Sequence, residues 1–75
     1  MVDSVEVARF QKNSGEEVRA QLTNYKGYDL IDLRVFAIRK DGDVATRKGL
    51  ALNVALLPEL KKAILAVEKA LKERG

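Results

Sequence analysis

The sequence predicts an α+β fold, a four-stranded antiparallel sheet followed by one C-terminal helix. Three observations lead to this fold: stretches in which apolar and polar residues alternate, turn signals between those stretches, and a change to helical spacing after Asn53. Alternation is typical of strands with one buried face, whereas apolar residues spaced by three and four positions are typical of an amphipathic helix. We expect residues 1–75 to form a single domain.

The alternation places the strands and assigns their side chains to two faces. The predicted strands lie near residues 5–10, 18–25, 31–37 and 44–52. One face of the two central strands is apolar and carries Val18, Ala20, Leu22, Ile31, Leu33 and Val35. The opposite face carries Arg19, Gln21, Thr23, Tyr25, Tyr28, Asp32, Arg34 and Phe36. The last strand contains Gly49, where we expect a bulge or a bend.

The helix is predicted from Pro58 onward, after a separate turn at residues 54–57, because proline fits the first turn of a helix. Its main apolar stripe is Leu57, Leu60, Ile64, Val67 and Leu71. A chain of 75 residues has a thin core, and without cysteine or histidine it has neither disulfides nor a zinc site to stabilise it. We therefore expect a homodimer with this stripe in its interface, and an apolar sheet face covered by the helix or by the partner. Membrane-surface binding by the helix is a less favoured alternative.

The composition excludes most catalytic and metal chemistry. Histidine and cysteine are absent, so the chain has no imidazole base and no Ser–His or Cys–His pair. We expect no enzyme activity, no cofactor and no metal, and Asp41-Gly42-Asp43 fits a hairpin turn better than a calcium loop. No apolar run is long enough to span a membrane, and the first residues lack a signal-peptide pattern. We expect a cytoplasmic protein, nucleoid-associated if it is bacterial.

The polar face of the sheet has nothing within the chain to cover it. The net charge of +3 is weak evidence as a total, but residues 19–48 hold seven basic and four acidic residues beside three aromatics. Aromatic rings stack on unpaired bases and basic side chains follow phosphates, so such a face suits single-stranded nucleic acid. The alternation alone favours ordinary packing of these aromatics across strands. Similarly, Arg47-Lys48-Gly49 could clamp phosphates, although its spacing alone favours a solvated turn with a bulge.

From Phe10 to the helix, three ordered segments resemble the transcriptional positive cofactor 4 family, whose members are single-stranded-DNA-binding coactivators. The segments are Tyr25-Lys26-Gly27, Leu30-Ile31-Asp32-Leu33-Arg34 and Arg47-Lys48-Gly49-Leu50-Ala51-Leu52-Asn53. They are similar, in order, to the family's aromatic-Lys-Gly turn, its central strand and its Arg-Lys-Gly-Ile-Ser-Leu-Asn signature. No Ser-rich regulatory tail is present, so we expect a compact member of the bacterial or phage type.

The resemblance implies a homodimer that binds single-stranded DNA with little sequence preference, in transcription regulation, replication or repair. Together with the polar face, it gives the predicted nucleic-acid-binding residues: Arg19, Tyr25, Lys26, Tyr28, Arg34, Phe36, Arg47, Lys48 and Gly49. The family implies stacking for Tyr25 and phosphate contacts for Lys26, Arg34, Arg47 and Lys48, with Gly49 beside them. The pattern of the polar face adds Arg19, Tyr28 and Phe36.

Two departures from the family pattern concern stacking. A stacking Trp of the animal members falls at Ala37, and a Lys after the turn falls at Tyr28. Tyr28 and Phe36 are our candidates to replace the lost ring. Two alternatives stay open: a protein-interaction module that recruits transcription factors or polymerase, and a preference for single-stranded RNA, because stacking and phosphate contacts do not by themselves sense the 2′-OH.

Overall fold

The computed structural model describes residues 3–75 and confirms the predicted fold class. An antiparallel sheet is followed by a short 3₁₀ helix, Val54–Leu56, and by the helix α1, Leu57–Arg74. The strands are β1 (Asp3–Asn13), β2 (Glu16–Tyr25), β3 (Tyr28–Ala37) and β4 (Val44–Asn53). Their order in the sheet is their order in the chain, so the sheet is a simple meander. The helix has 18 residues, about five turns, with Pro58 in the first turn as predicted.

The turn between β2 and β3 contains a residue in a conformation that side chains rarely adopt. Tyr25 pairs with Tyr28, which leaves Lys26 and Gly27 as a two-residue connection. Both have positive φ, 52° and 84°, as the hairpin turns that match strand twist require. For a lysine this left-handed conformation costs about 1 kcal/mol. The turn therefore holds the Lys26 side chain at a defined position on the hairpin tip.

The bulge predicted near Gly49 is confirmed. The pairing of β3 with β4 shifts between Arg34 and Phe36, and Gly49 lies opposite Arg34 at that shift. Gly49 has a φ of 143°, and a Cβ there would collide with the carbonyl oxygen of Leu33. The Thr46 hydroxyl replaces a ladder bond, since it donates to the Val35 carbonyl over 2.8 Å. Glycine is thus required at this position by the close approach of β3.

The apolar face of the sheet lacks cover within the chain. Among the residues that the structure describes, Ile31 and Val35 are the buried ones, each 9% exposed. Of the two covers considered for this face, the chain's own helix contributes little, because the main contacts of α1 in the described chain are with the 3₁₀ helix. Large apolar side chains therefore stay exposed on the sheet and on the helix: Val5, Phe10, Leu22, Leu50, Leu57, Ile64, Val67 and Leu71.

The overall dimensions agree with this lack of cover. The chain measures 43 by 34 by 18 Å, with a Cα radius of gyration of 14.5 Å. A compact domain of this length would have a radius of gyration of about 11 Å. A single chain is thus a thin slab with a projecting helix.

Candidate nucleic-acid interface

Three arginines form a row across the polar face of the sheet. Arg9 of β1 pairs with Arg19 of β2, and Arg19 pairs with Arg34 of β3. Paired residues of antiparallel strands point to the same face, with Cβ atoms about 5 Å apart. Gly49 of β4 completes the row next to Arg34. We call Arg9, Arg19 and Arg34 the arginine row.

Each arginine of the row is neutralised by carboxylates from its own face. Arg9 holds Glu6 with two hydrogen bonds, of 2.6 and 2.7 Å. Arg34 donates to Asp32 over 2.8 Å. Like charges directly opposite each other destabilise a sheet, so these carboxylates make the row possible. As a result, Arg19 and Arg34, two of the four arginines in residues 19–48, are paired within the fold.

Arg19 is the most enclosed of the three. Its Nε donates to Glu17 over 3.0 Å, and its Nη2 donates to Asp43 over 2.5 Å. The guanidinium lies 4.2 Å from the centre of the Phe36 ring, and the side chain is only 11% exposed. The hydrogen bond with Asp43 raises the pKa of Arg19. Both Arg19 and Phe36 thus lie on the predicted face, where they contact each other and are only partly open to solvent.

The other end of the face is open. Tyr25 and Tyr28 are paired at the hairpin tip and are 49% and 64% exposed. Lys26 lies between them in the turn, with its Nζ 5.3 Å from the centre of the Tyr25 ring, within reach of a cation–π interaction. Two exposed rings and a cation therefore stand together at one end of the polar face.

The bulge in β4 brings further cations beside Arg34. Arg34 donates to the backbone carbonyl of Arg47 over 3.3 Å. The backbone N–H of Lys48 donates to the Thr46 hydroxyl over 3.2 Å, so the bulge is held in shape by its own side chain. A guanidinium has five N–H donors, and the two bonds of Arg34 leave donors for a phosphate. The side chains of Arg47 and Lys48 are exposed at the bulge, and the Nζ of Lys48 lies 3.7 Å from a carboxylate oxygen of Glu16.

Sequence reasoning missed the acidic members of this interface. Asp43 was expected in a hairpin turn and Glu17 was given no role, yet both bind Arg19. Glu6 and Arg9 of β1 also belong to the face. The alternation of β2 and β3 contained no sign of these contacts, because they depend on the register of β1 and on the path of the loop at residues 38–43.

Glu6 of β1 and Glu16 of β2 have pKa values below the usual glutamate value. The hydrogen bond from Arg9 lowers the pKa of Glu6. The hydrogen bond from Asn13, followed by that from Lys12, lowers the pKa of Glu16. These groups are therefore ionised, and hold their partners, throughout the neutral range.

The described residues offer little for other kinds of chemistry. Within 3–75, no three acidic side chains come together in a way that could hold a metal ion. In the same range, no helix is both long and apolar enough to cross a membrane.

Comparison with known families matches this chain to one of them. The family model described as Transcriptional Coactivator p15 (PC4) matches residues 12–63. The chain belongs to this family. PC4 proteins are non-enzymatic, DNA-binding coactivators, so a PC4-like DNA-binding role follows for the chain. The match includes every predicted nucleic-acid-binding residue, from Arg19 to Gly49, and ends within α1.

Solved structures of PC4 homologues share the fold. A PC4 homologue from Burkholderia pseudomallei is 24% identical, with a TM-score of 0.80, and the alignment covers 87% of this chain and 89% of that one. The bacteriophage T5 homologue of PC4, described as implicated in recombination-dependent DNA replication, is 18% identical with a TM-score of 0.65. That alignment covers 96% of this chain and 81% of the phage protein. Among curated proteins, none matches the chain.

Proposed function

We propose that the chain is a homodimeric PC4-type protein that binds single-stranded DNA with little sequence preference. The observation that carries the proposal is the open end of the polar face, where Tyr25 and Tyr28 stand exposed around Lys26. Both rings are exposed to solvent over about half of their surface or more, and base–aromatic stacking contributes about 1–3 kcal/mol per base. Stacking requires unpaired bases, which favours a single strand over a duplex.

Phosphate contacts in this proposal come from four cations: Lys26 at the turn, Arg34 on β3, and Arg47 and Lys48 at the bulge. Lys26 lies at the tyrosine end of the face, and Arg34 lies level with Arg19. The bulge follows directly after Arg34, so a strand stacked on the tyrosines would run along the face toward Arg34 and the bulge. Gly49 takes a structural role, because it lets β4 approach β3 and so sets the bulge that presents Arg47 and Lys48.

The homodimer is proposed from the apolar surface. Of the stripe Leu57, Leu60, Ile64, Val67 and Leu71, all but Leu60 are exposed, and the apolar face of the sheet is largely uncovered as well. Burial of apolar area contributes about 25 cal/mol per Å², so a second copy that covers both surfaces supplies the core that one chain lacks. Each dimer would then carry two polar faces, and we treat residues 1–75 as one binding domain.

The cellular process is part of the proposal. A protein that holds single strands acts where duplex DNA is opened, in transcription, replication or repair. The description of the phage relative in terms of recombination-dependent replication is in line with the last two. RNA binding and recruitment of transcription proteins become outcomes of the binding experiment below.

The experiment is a fluorescence anisotropy titration of a labelled single-stranded oligonucleotide at several salt concentrations. Four phosphate contacts predict a log–log slope of about −3, since each contact on a single strand contributes about −0.7. Lys48→Ala should flatten the slope by about 0.7, whereas Lys62→Ala, a control lysine on the helix, should leave it unchanged. Competition with duplex DNA and with RNA of the same sequence completes the design. Equal affinity for duplex, or a slope near zero, contradicts the proposal.

A further inference from the structure

We propose that Asp43 is a specificity-determining residue of this interface: it competes with DNA phosphate for Arg19 and so ends the phosphate path at Arg34. The inference rests on the proposed function and adds to it a reason why only part of the arginine row contacts DNA. The observation behind it is the capture of Arg19 by carboxylates from two different elements.

Arg19 lies where the next phosphate contact would be. It pairs directly with Arg34 in the register of β2 and β3, on the same face. A strand that reaches Arg34 and continues across the sheet therefore meets Arg19 next, and then Arg9, its partner on β1. By position alone, the arginine row is a path for a polyanion across three strands.

The carboxylates close this path. A carboxylate and a phosphate present the same kind of anionic oxygen to a guanidinium, so the two compete for the same N–H donors. Asp43 takes the Nη2 of Arg19, Glu17 takes its Nε, and the ring of Phe36 lies against its plane. The remaining exposure of the Arg19 side chain is too small for a phosphate to reach it without displacing a carboxylate.

Asp43 is the removable part of this arrangement. It belongs to the loop at residues 38–43, between β3 and β4, and it reaches Arg19 across 24 positions of sequence. Glu17 sits within β2, beside Arg19 in sequence, and it is shared with Arg9. A change at Asp43 therefore releases Arg19 with the strands intact, whereas a change at Glu17 also alters β2 and Arg9.

The same loop provides a matched control. Asp41 lies two residues from Asp43 and carries the same charge, but within the described chain its carboxylate makes no hydrogen bond or ion pair. Asp43→Asn and Asp41→Asn both remove one negative charge from the loop. Only the first releases Arg19, so the difference between the two variants separates this contact from general electrostatics.

The test is the anisotropy titration repeated with both variants, using short and long single-stranded oligonucleotides. We expect Asp43→Asn to bind the long oligonucleotide about fivefold more tightly than Asp41→Asn, with a slope steeper by about 0.7, and to show no such gain on the short one. Adding Arg19→Ala to Asp43→Asn should remove the gain. Thermal unfolding of each variant checks that the fold is retained.

The possible failures are distinguishable. Equal affinities and slopes for Asp43→Asn and Asp41→Asn overturn this inference. In that case the proposed function still stands if the wild type binds single strands. A gain that survives Arg19→Ala overturns it as well, because the charge effect then acts elsewhere. If neither the wild type nor any variant binds single strands, the proposed function fails and this inference fails with it.

Discussion

The polar face of the sheet satisfies its charges within one chain, whereas the apolar face leaves its side chains without cover from the residues that the structure describes. On the polar face, four carboxylates lie against the three arginines of the row. On the apolar face and the helix, most large side chains are about half exposed. The polar face is complete as folded, and the apolar face is the surface that the second copy of the proposed homodimer would cover.

The two faces differ because an ion pair and apolar burial need different amounts of partner surface. An ion pair needs one partner at contact distance, and the strand register supplies it from a neighbouring strand. Apolar burial needs area, and a sheet of four strands with a projecting helix has too little of it to cover itself. We therefore expect changes on the apolar side to have larger effects than changes on the polar side.

The largest effect is expected from a charge in the helix stripe. Ile64→Asp places a carboxylate in the proposed dimer interface, where burial of an unpaired charge costs several kcal/mol. The dimer should dissociate at micromolar concentration, as measured by sedimentation or by light scattering. Leu65→Asp is the matched control, because Leu65 is as exposed as its neighbour, 59% against 56%, but lies off the stripe. Equal loss of the dimer in both variants would contradict the stripe as interface.

The next largest effect is a loss of stability at the bulge in β4. Gly49→Ala combines a left-handed backbone with a collision against the Leu33 carbonyl, so we expect a loss of about 3 kcal/mol in the free energy of unfolding. Gly15→Ala is the control, since Gly15 lies in a turn with open space around it and has no positive φ. Urea denaturation at a fixed chain concentration measures both. A loss below 1 kcal/mol for Gly49→Ala would show that β4 can move away from β3.

The two ends of the polar face should differ in binding. Tyr25→Ala removes an exposed ring and should weaken single-strand affinity about tenfold. Phe36→Ala should cost less, because one side of that ring is already covered by Arg19. Titration at one salt concentration, with the dimer mass checked for each variant, makes the comparison. A larger loss for Phe36→Ala would move the stacking site to the Arg19 end.

The smallest effect is expected from pH. The pKa of Glu6 is lowered in the folded chain, so its stabilising contribution is complete above the ordinary glutamate value of about 4.3 and is lost as pH falls below it. The unfolding temperature should therefore fall from pH 5 to pH 3, and Glu6→Gln should reduce the slope of that fall. Glu68→Gln on the helix should not. An identical pH profile for Glu6→Gln and wild type would exclude a contribution from this pair.

The sequence predicted the assignment of side chains to faces well, because alternation is a local property. Tyr25, Arg34 and Phe36 lie on one face and Ile31 and Val35 on the other, and the bulge at Gly49 was also predicted. Whether the candidate residues bind DNA stays a prediction, since geometry alone does not test it.

What could not be predicted depends on contacts between distant segments. The capture of Arg19 by Asp43 requires the path of a loop, and the arginine row requires the register of β1. The stripe of α1 is equally compatible with packing on its own sheet or on a partner, and only the fold shows that the helix projects away. Periodicity identifies an apolar surface but does not say which molecule covers it.

The meander order of the strands has a consequence for how the protein assembles. Each strand pairs only with its neighbours in the chain, so the sheet can form by closing short loops, a topology typical of fast folding. In the proposed homodimer, cover for the apolar face comes from a collision between two chains, and that step slows on dilution. Until that collision, a chain with a finished sheet has its apolar side open, the condition in which aggregation competes. Protein concentration, more than folding rate, then governs the yield of the assembled form.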